Sequence, residues 1–357
     1  MLPLTRQKKT GAVVGLDIEA GSIAATELRS NGSVELGAAA IGPLSPGAFH
    51  EGEVLDPDSL ADGLKSLFST HKLSKRVRLG IGNQRVIVRT LRLPAIEDPK
   101  EMEAAVRFQA QEQIPMPLDQ AVLEHQVVGG VPAEEGETPQ LDVIVIAARR
   151  DMVSSFLAPL RQAGLEPVGV DLAAFGMIRA LADTGETSDG EAPERPAVLY
   201  CNVGDVTNLA VARGRSCLFT RVSHVGLEQI SGNLVAARGL SHEHAAQWLA
   251  HVGLEQPVEA VEGDPDTVTE ARRSLEEGVS ALVDELRLSL DYYAAQEAAV
   301  PVERIVLCGP GSAIPGLVGR MEGIGLPIAV AHPAALSGLD EAAAARLTLP
   351  FGLALES

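Results

Sequence analysis

Residues 12–28 read AVVGLDIEAGSIAATEL, and this stretch decides the fold. An apolar run ends in Asp17, a small-residue turn follows (Glu19-Ala20-Gly21-Ser22), and a second run of alternating apolar character leaves it. That pattern predicts a β-hairpin whose tip carries a carboxylate beside exposed backbone N–H groups. The pattern recurs at 197–212, AVLYCNVGDVTNLAVA, with Asn202 where Asp17 stood, a Gly204-Asp205 turn, and Val206-Thr207-Asn208 entering the next strand. Two matching hairpins predict a duplicated α/β unit with both loops facing one cleft. A row of backbone N–H groups attracts phosphate oxygens, and a carboxylate at a strand end can hold Mg²⁺ or its waters. Short strands ending in Asp-Gly turns also occur in many α/β proteins, so the hairpins alone leave both readings open.

Composition bounds the rest. A chain of 357 residues is long enough for two domains or one two-lobed domain, and 46% apolar residues with 3% aromatics predict aliphatic cores. The formal charge of −19, with no basic patch interleaved with aromatics, excludes a nucleic-acid surface. Cys201, Cys217 and Cys308 form no CxxC and no even framework, which fits a reducing compartment. No apolar run approaches the ~18 residues of a membrane span, and the LPFGLALES stretch at 349–357 is too short for an amphipathic anchor.

Outward from the first hairpin, the pattern predicts a third strand near 35–41 and a helix over 57–71 opened by Asp58/Ser59. A strand at 78–81 comes next. Residues 84–147 then read as a small β-α-β-β insert: a half-wet strand at 84–93, a charged helix over 96–113 stopped by Pro115 and Pro117, and strands at 121–128 and 141–147 around an acidic loop. Helices at 151–163 and 173–182 flank a strand at 167–170, before a linker-like 183–196. Beyond the second hairpin come a strand at 216–224, a helical region opened by Gly226, and a long helix over 267–298. A buried strand at 304–307 then runs into a glycine turn, Cys308-Gly309-Pro310-Gly311-Ser312, expected to open a helix. Glycines there admit a ligand at a helix N-terminus, or simply make a tight turn. His242, His244 and His251 do not share one helix face, so no zinc site is expected.

The three loops in this order resemble the phosphate-1, phosphate-2 and adenosine motifs of the actin-like ATPase superfamily. Within it the chain resembles the PilM-like type IV pilus assembly proteins through three stretches. They are FQAQEQIPMPLDQAVLEHQVV (108–128), VIVIAARRDMVSSFLAPLRQAGLEPVGVDLAAFGMIRAL (143–181) and ELRLSLDYY…IVLCGPGSAIPGL (285–317). The resemblance implies a two-lobed actin-like (ribonuclease H-like) fold. Its first lobe (1A) is 11–83 plus 148–195 and its insert subdomain (1C) is 84–147. The second lobe (2A) is 196–226 plus 299–357, with its end left open to pack on 1A, and the helical subdomain (2B) is 227–298; residues 1–10 are a leader.

It also implies ATP and Mg²⁺ as cofactors, with nucleotide contacts at Asp17, Gly21, Ser22 and Ile23, at Asn202, Gly204, Asp205, Val206, Thr207 and Asn208, and at Gly226, Gly309, Gly311 and Ser312. Asp17 would hold the metal. Asp171 matches the position that orients the attacking water, and reads equally as a helix N-cap. The partner implied is the N-terminal cytoplasmic tail of a PilN-like membrane protein, held between the first lobe and the insert, with other pilus platform proteins nearby. The protein would then be cytoplasmic, on the inner face of the cell membrane, touching the membrane through its partner.

Several residues depart from the superfamily pattern. Glu19 stands at the usual glycine and Ala24 at the usual lysine, so a carboxylate is gained and a cation lost beside the phosphates. Asn202 replaces an aspartate, Pro310 a glycine, and Trp248 of HAAQWLAH (244–251) a cation. These changes predict weak or absent hydrolysis and a scaffold rather than an enzyme. The rival is an ATP-dependent switch or filament protein of the FtsA type.

Overall fold

The computed structural model describes residues 12–30, 34–131, 139–182, 196–296 and 299–355. β1 (Val14–Ile18) and β2 (Ser22–Ser30) form the first hairpin, and β3 (Val34–Pro43) extends it into an antiparallel meander. A two-residue ribbon of β4 (Phe49–His50) and β5 (Glu53–Val54) leads to α1 (Pro57–His71). The meander continues in parallel through β6 (Arg76–Ile81). The insert follows: β7 (Ile87–Pro94), α2 (Pro99–Gln113), β8 (Ala121–Val131) and β9 (Gln140–Arg149). α3 (Arg150–Gln162), β10 (Glu166–Leu172) and α4 (Ala173–Leu181) complete this half.

The second half opens on β11 (Ala197–Val203), β12 (Thr207–Arg213) and β13 (Ser216–Ser223). Three helices follow: α5 (Leu227–Arg238), α6 (His242–Val252) and α7 (Pro265–Ala294). Then come β14 (Val302–Cys308), α8 (Leu317–Met321), β15 (Ile328–Val330) and α9 (Glu341–Ala354). The two main sheets have the orders β10-β6-β1-β2-β3 and β13-β12-β11-β14-β15. Each is an antiparallel meander whose first strand is continued by two parallel strands. One topology occurs twice.

Period-two alternation sorts the first hairpin's side chains. Val14, Leu16 and Ile18 pack with Leu60, Leu64 and Phe156 of α1 and α3. Gly15, Asp17 and Ala24 point the other way, toward α9: a Cβ on Gly15 would lie 1.9 Å from the Pro350 carbonyl oxygen, and Ala24 is buried among Ala344, Leu347 and Phe351. In the second sheet Leu199, Cys201 and Leu209 pack on α5 and α7, while Tyr200, Ala210 and Val306 face α4 and α9. α4 and α9 thus form the layer between the sheets. They cross closely, since a Cβ on Gly352 would meet the Gly176 carbonyl oxygen at 1.8 Å.

Several elements are capped or bounded differently from what the sequence pattern predicts. Asp56, not Asp58 or Ser59, caps α1, because Pro57 occupies the first helical position. Asp98 and Pro99 likewise start α2 three residues after Ile96. α7 begins at Pro265, capped by Asp264, and ends at Ala294 rather than running to 298. The glycine turn after β14 opens a single 3₁₀ turn, Pro310–Ala313, and α8 starts only after Pro315. The leader 1–10, most of the acidic loop and residues 183–195 of the linker lie outside the described residues.

Candidate functional site

Both hairpin tips meet between the sheets. In the first, Glu19 N–H donates to the Ser22 carbonyl at 2.9 Å and Ser22 N–H to the Glu19 carbonyl at 3.3 Å, closing the turn at Ala20-Gly21. In the second, the Asp205 carboxylate accepts the Ala20 N–H at 2.5 Å, and the Asp205 N–H points back to Glu19 Oε1 at 3.4 Å. A Cβ on Gly204 would lie 2.4 Å from Glu19 Oε1, so a larger residue there would push the Glu19 carboxylate aside. Asp17, Glu19, Asn202, Asp205, Val206 and Asn208 line one cavity of about 30 Å³. That volume holds one or two waters.

A residue with no place in the loop motifs supplies the cation to the acids that line this cavity. Arg346, buried on α9, donates through Nη1 to the Asp17 carboxylate. Its Nε lies 3.0 Å from Glu19 Oε2 and 3.1 Å from Ser22 Oγ, and its Nη2 reaches the carbonyls of Asp17 and Ser22 at 3.4 and 3.3 Å. The guanidinium fork is fully engaged. Even so, acids outnumber cations here. Burial pushes the Glu19 carboxyl up to about 8, with Arg346 opposing and Asp205 and Asp17 adding to the rise. Burial likewise raises Asp205 to about 6, against the Ala20 N–H that favours its charge.

Other expected nucleotide contacts serve packing. The Ile23 side chain belongs to the core of the first lobe, and Gly21 gives its carbonyl to the Leu44 N–H at 3.1 Å. Thr207 Oγ1 donates to the Val225 carbonyl at 2.7 Å. Gly226 sits against the Gly204 and Asp205 carbonyls, where a Cβ would intrude. Gly309, at φ 82°, lies against Asn202, and Gly311 against Val203, while the buried Ser312 donates to the Gly309 carbonyl at 2.7 Å. The three loops therefore come together, but the glycines seat the third loop on β11. Asp17, expected to hold Mg²⁺, faces a guanidinium, and among the described residues no group of three or more His, Cys, Asp or Glu could hold a metal.

Asp171 is elsewhere. Its carboxylate accepts the Leu172 N–H at 2.8 Å and pairs with Arg179, which also donates to the Gly352 carbonyl at 3.1 Å. It faces a groove of about 850 Å³ rather than the cleft cavity, and the residue before α4 is Leu172, so neither reading of Asp171 describes its contacts. Two sheet edges face this groove: β10, at the end of the first main sheet, and β8, at the end of the insert sheet β7-β9-β8. Val168, Val170, Ile146, Phe175 and Ile178 give it an apolar lining, and Arg78, Arg179 and Arg215 supply charge.

Of the three histidines, His244 and His251 line one shallow pocket with Gln247 and Trp248; His251 Nε2 lies 2.8 Å from the Glu262 carbonyl and edge-on to Trp248, and the His244 N–H is capped by Ser241.

Residues 15–355 match the family described as type IV pilus assembly protein PilM. The chain belongs to that family. A solved structure described as the PilM-PilN type IV pilus biogenesis complex is similar over 96% of this chain and 97% of the other, with 27% identity and a TM-score of 0.76. The ethanolamine utilization protein EutJ from Carboxydothermus hydrogenoformans is similar over 98% of this chain and 90% of its own, at 14% identity and a TM-score of 0.53. MreB 5 of Spiroplasma citri bound to AMPPNP is similar over 97% and 95%, at 12% identity and a TM-score of 0.50. These last two show the shared actin-like fold. In this chain Ala24 is packed beneath α9, and Asp17 receives its cation from Arg346 of α9.

Proposed function

We propose that this chain is a scaffold of the type IV pilus inner-membrane assembly platform, holding the N-terminal cytoplasmic tail of a PilN-like membrane protein in the groove between β8 and β10. One observation carries the reading: two sheet edges border a single apolar groove of about 850 Å³. Edge strands offer a row of backbone donors and acceptors to an extended peptide, and pockets for alternate side chains set the register. The lining favours a tail with aliphatic side chains on one face, while the chain's charge of −19 suits a basic juxtamembrane flank. The PilM-PilN complex supports this partner, and membrane contact then runs through it. Among the described residues no helix is long and apolar enough to cross a membrane. No observation favours the FtsA-type switch over this reading.

Isothermal titration of the full chain with a synthetic tail tests it. Saturable binding, weakened about tenfold when Val168 in the groove becomes aspartate, is the expected result. No binding, or equal binding by the Val168→Asp variant, would overturn the assignment.

A further inference from the structure

We propose that this protein's two lobes are clamped by its own groups in the place where the fold would hold nucleotide phosphates, so that the closed cleft is independent of nucleotide. The residues present do not fit a Mg-triphosphate. The cavity between the hairpin tips is about 30 Å³. The Ala20 and Asp205 N–H groups, which a phosphate would need, are directed to Asp205 and Glu19 carboxylates. A triphosphate would meet the carboxylates of Asp17 and Asp205 beside the Glu19 carboxyl, and the one guanidinium there already serves Asp17, Glu19 and Ser22. Like charges in a dry pocket repel strongly.

The clamp extends along the cleft. Glu228, in the first turn of α5, accepts His50 Nδ1 at 2.7 Å and the Glu51 N–H at 2.8 Å from the β4–β5 ribbon. Glu51 has φ 46°, a left-handed conformation uncommon for glutamate and fastened at its N–H by this contact. Gln84 and His224 approach to 3.3 Å, and Gly82 lies so close to Asn208 that a Cβ would sit 2.4 Å from its Oδ1. Three separate contacts thus join the lobes, each made by main chain or side chain of the protein itself. The reciprocal contact between the Glu19 and Asp205 turns holds the two lobes together at the hairpin tips.

Hydrogen exchange by mass spectrometry on the full chain tests the proposal, read on peptides covering 17–24, 48–54 and 203–208. Slow exchange without ligand is expected, unchanged by millimolar MgATP or MgADP, with no shift in melting temperature. Asp205→Ala should speed exchange at 17–24 by about tenfold, as one charge-assisted bond is lost. Glu228→Gln should do so at 48–54 if the first variant does not fold. Slower exchange or a higher melting temperature with MgATP would overturn the proposal. So would a folded Asp205→Ala protein whose 17–24 exchange is unchanged. Tail binding enters neither arm, so this inference and the scaffold reading can fail separately.

Discussion

Replacing Arg346 with methionine is the sharpest perturbation the cleft allows. Methionine keeps most of the aliphatic volume and removes the guanidinium, leaving the Asp17 and Glu19 carboxylates without their cation. Removing one partner of a buried ion pair costs about 3–5 kcal/mol. Glu19, already pushed up to about 8, can take a proton at neutral pH, so most of the loss falls on Asp17 and on the Ser22 hydroxyl and carbonyl that lose donors. For a chain of this size each kcal/mol lowers the melting temperature by roughly 2 °C, which gives a drop of about 6–10 °C. Circular dichroism melts at neutral pH measure it. Arg346→Lys, which keeps charge but not the fork, should fall between the two. The deficit should shrink as the pH is lowered and the stranded carboxylates protonate. A loss below about 1 kcal/mol, or one that does not shrink in acid, would refute the reasoning, because it would mean that these carboxylates are not held by Arg346.

Other outcomes follow from the same structure. Folded-state values for Glu19 (from 4.5 to about 8) and Asp205 (from 3.8 to about 6) lie above the unfolded ones. The folded protein therefore holds protons that the unfolded chain has released, and stability should fall as pH rises from about 5 to about 8. His50, raised by Glu228, stabilises in acid and loses that effect as pH rises through its folded value, in the same direction; melting temperatures that rise across this window would contradict both. Val168→Asp should weaken tail binding about tenfold, the worth of one exposed valine side chain covered by the tail, with the melting temperature little changed. Gly352→Ala should destabilise by several kcal/mol in a chemical denaturation series, because its Cβ meets backbone at 1.8 Å. Gly232→Ala, mid-helix in α5 with open space around it, should stabilise by about 0.5–1 kcal/mol in the same series.

Much of this architecture is legible in the residues. The helix over 57–71 matches α1 to the residue because its apolar positions repeat at helical spacing and His71 precedes a left-handed Lys72. Both hairpins are legible because β1, β11 and β12 are apolar enough to fill buried layers. α9 is not: EAAAARLTLPFGLA carries Pro350 and Gly352 and is buried almost all round, so it shows no amphipathic stripe, and its last residues read only as an apolar stretch too short for an anchor. Arg346 was hidden with it. The signal that could have exposed it is electrostatic, since Asp17 and Glu19 with Ala24 in place of lysine demand a cation from somewhere else in the chain. Asp171 misleads for a different reason: its place at a strand end is right, but the Arg179 beside it is a contact across one helical stretch that motif spacing does not encode.

The position of α9 has a consequence for synthesis. Arg78 holds the carbonyls of Leu353 and Leu355, and Gly15 admits the Pro350 backbone against the first strand. The opening sheet, though made first by the ribosome, stays without its cover and its counter-ion until residue 355 has left the exit tunnel. Through most of translation, Asp17 waits for a partner more than three hundred codons downstream.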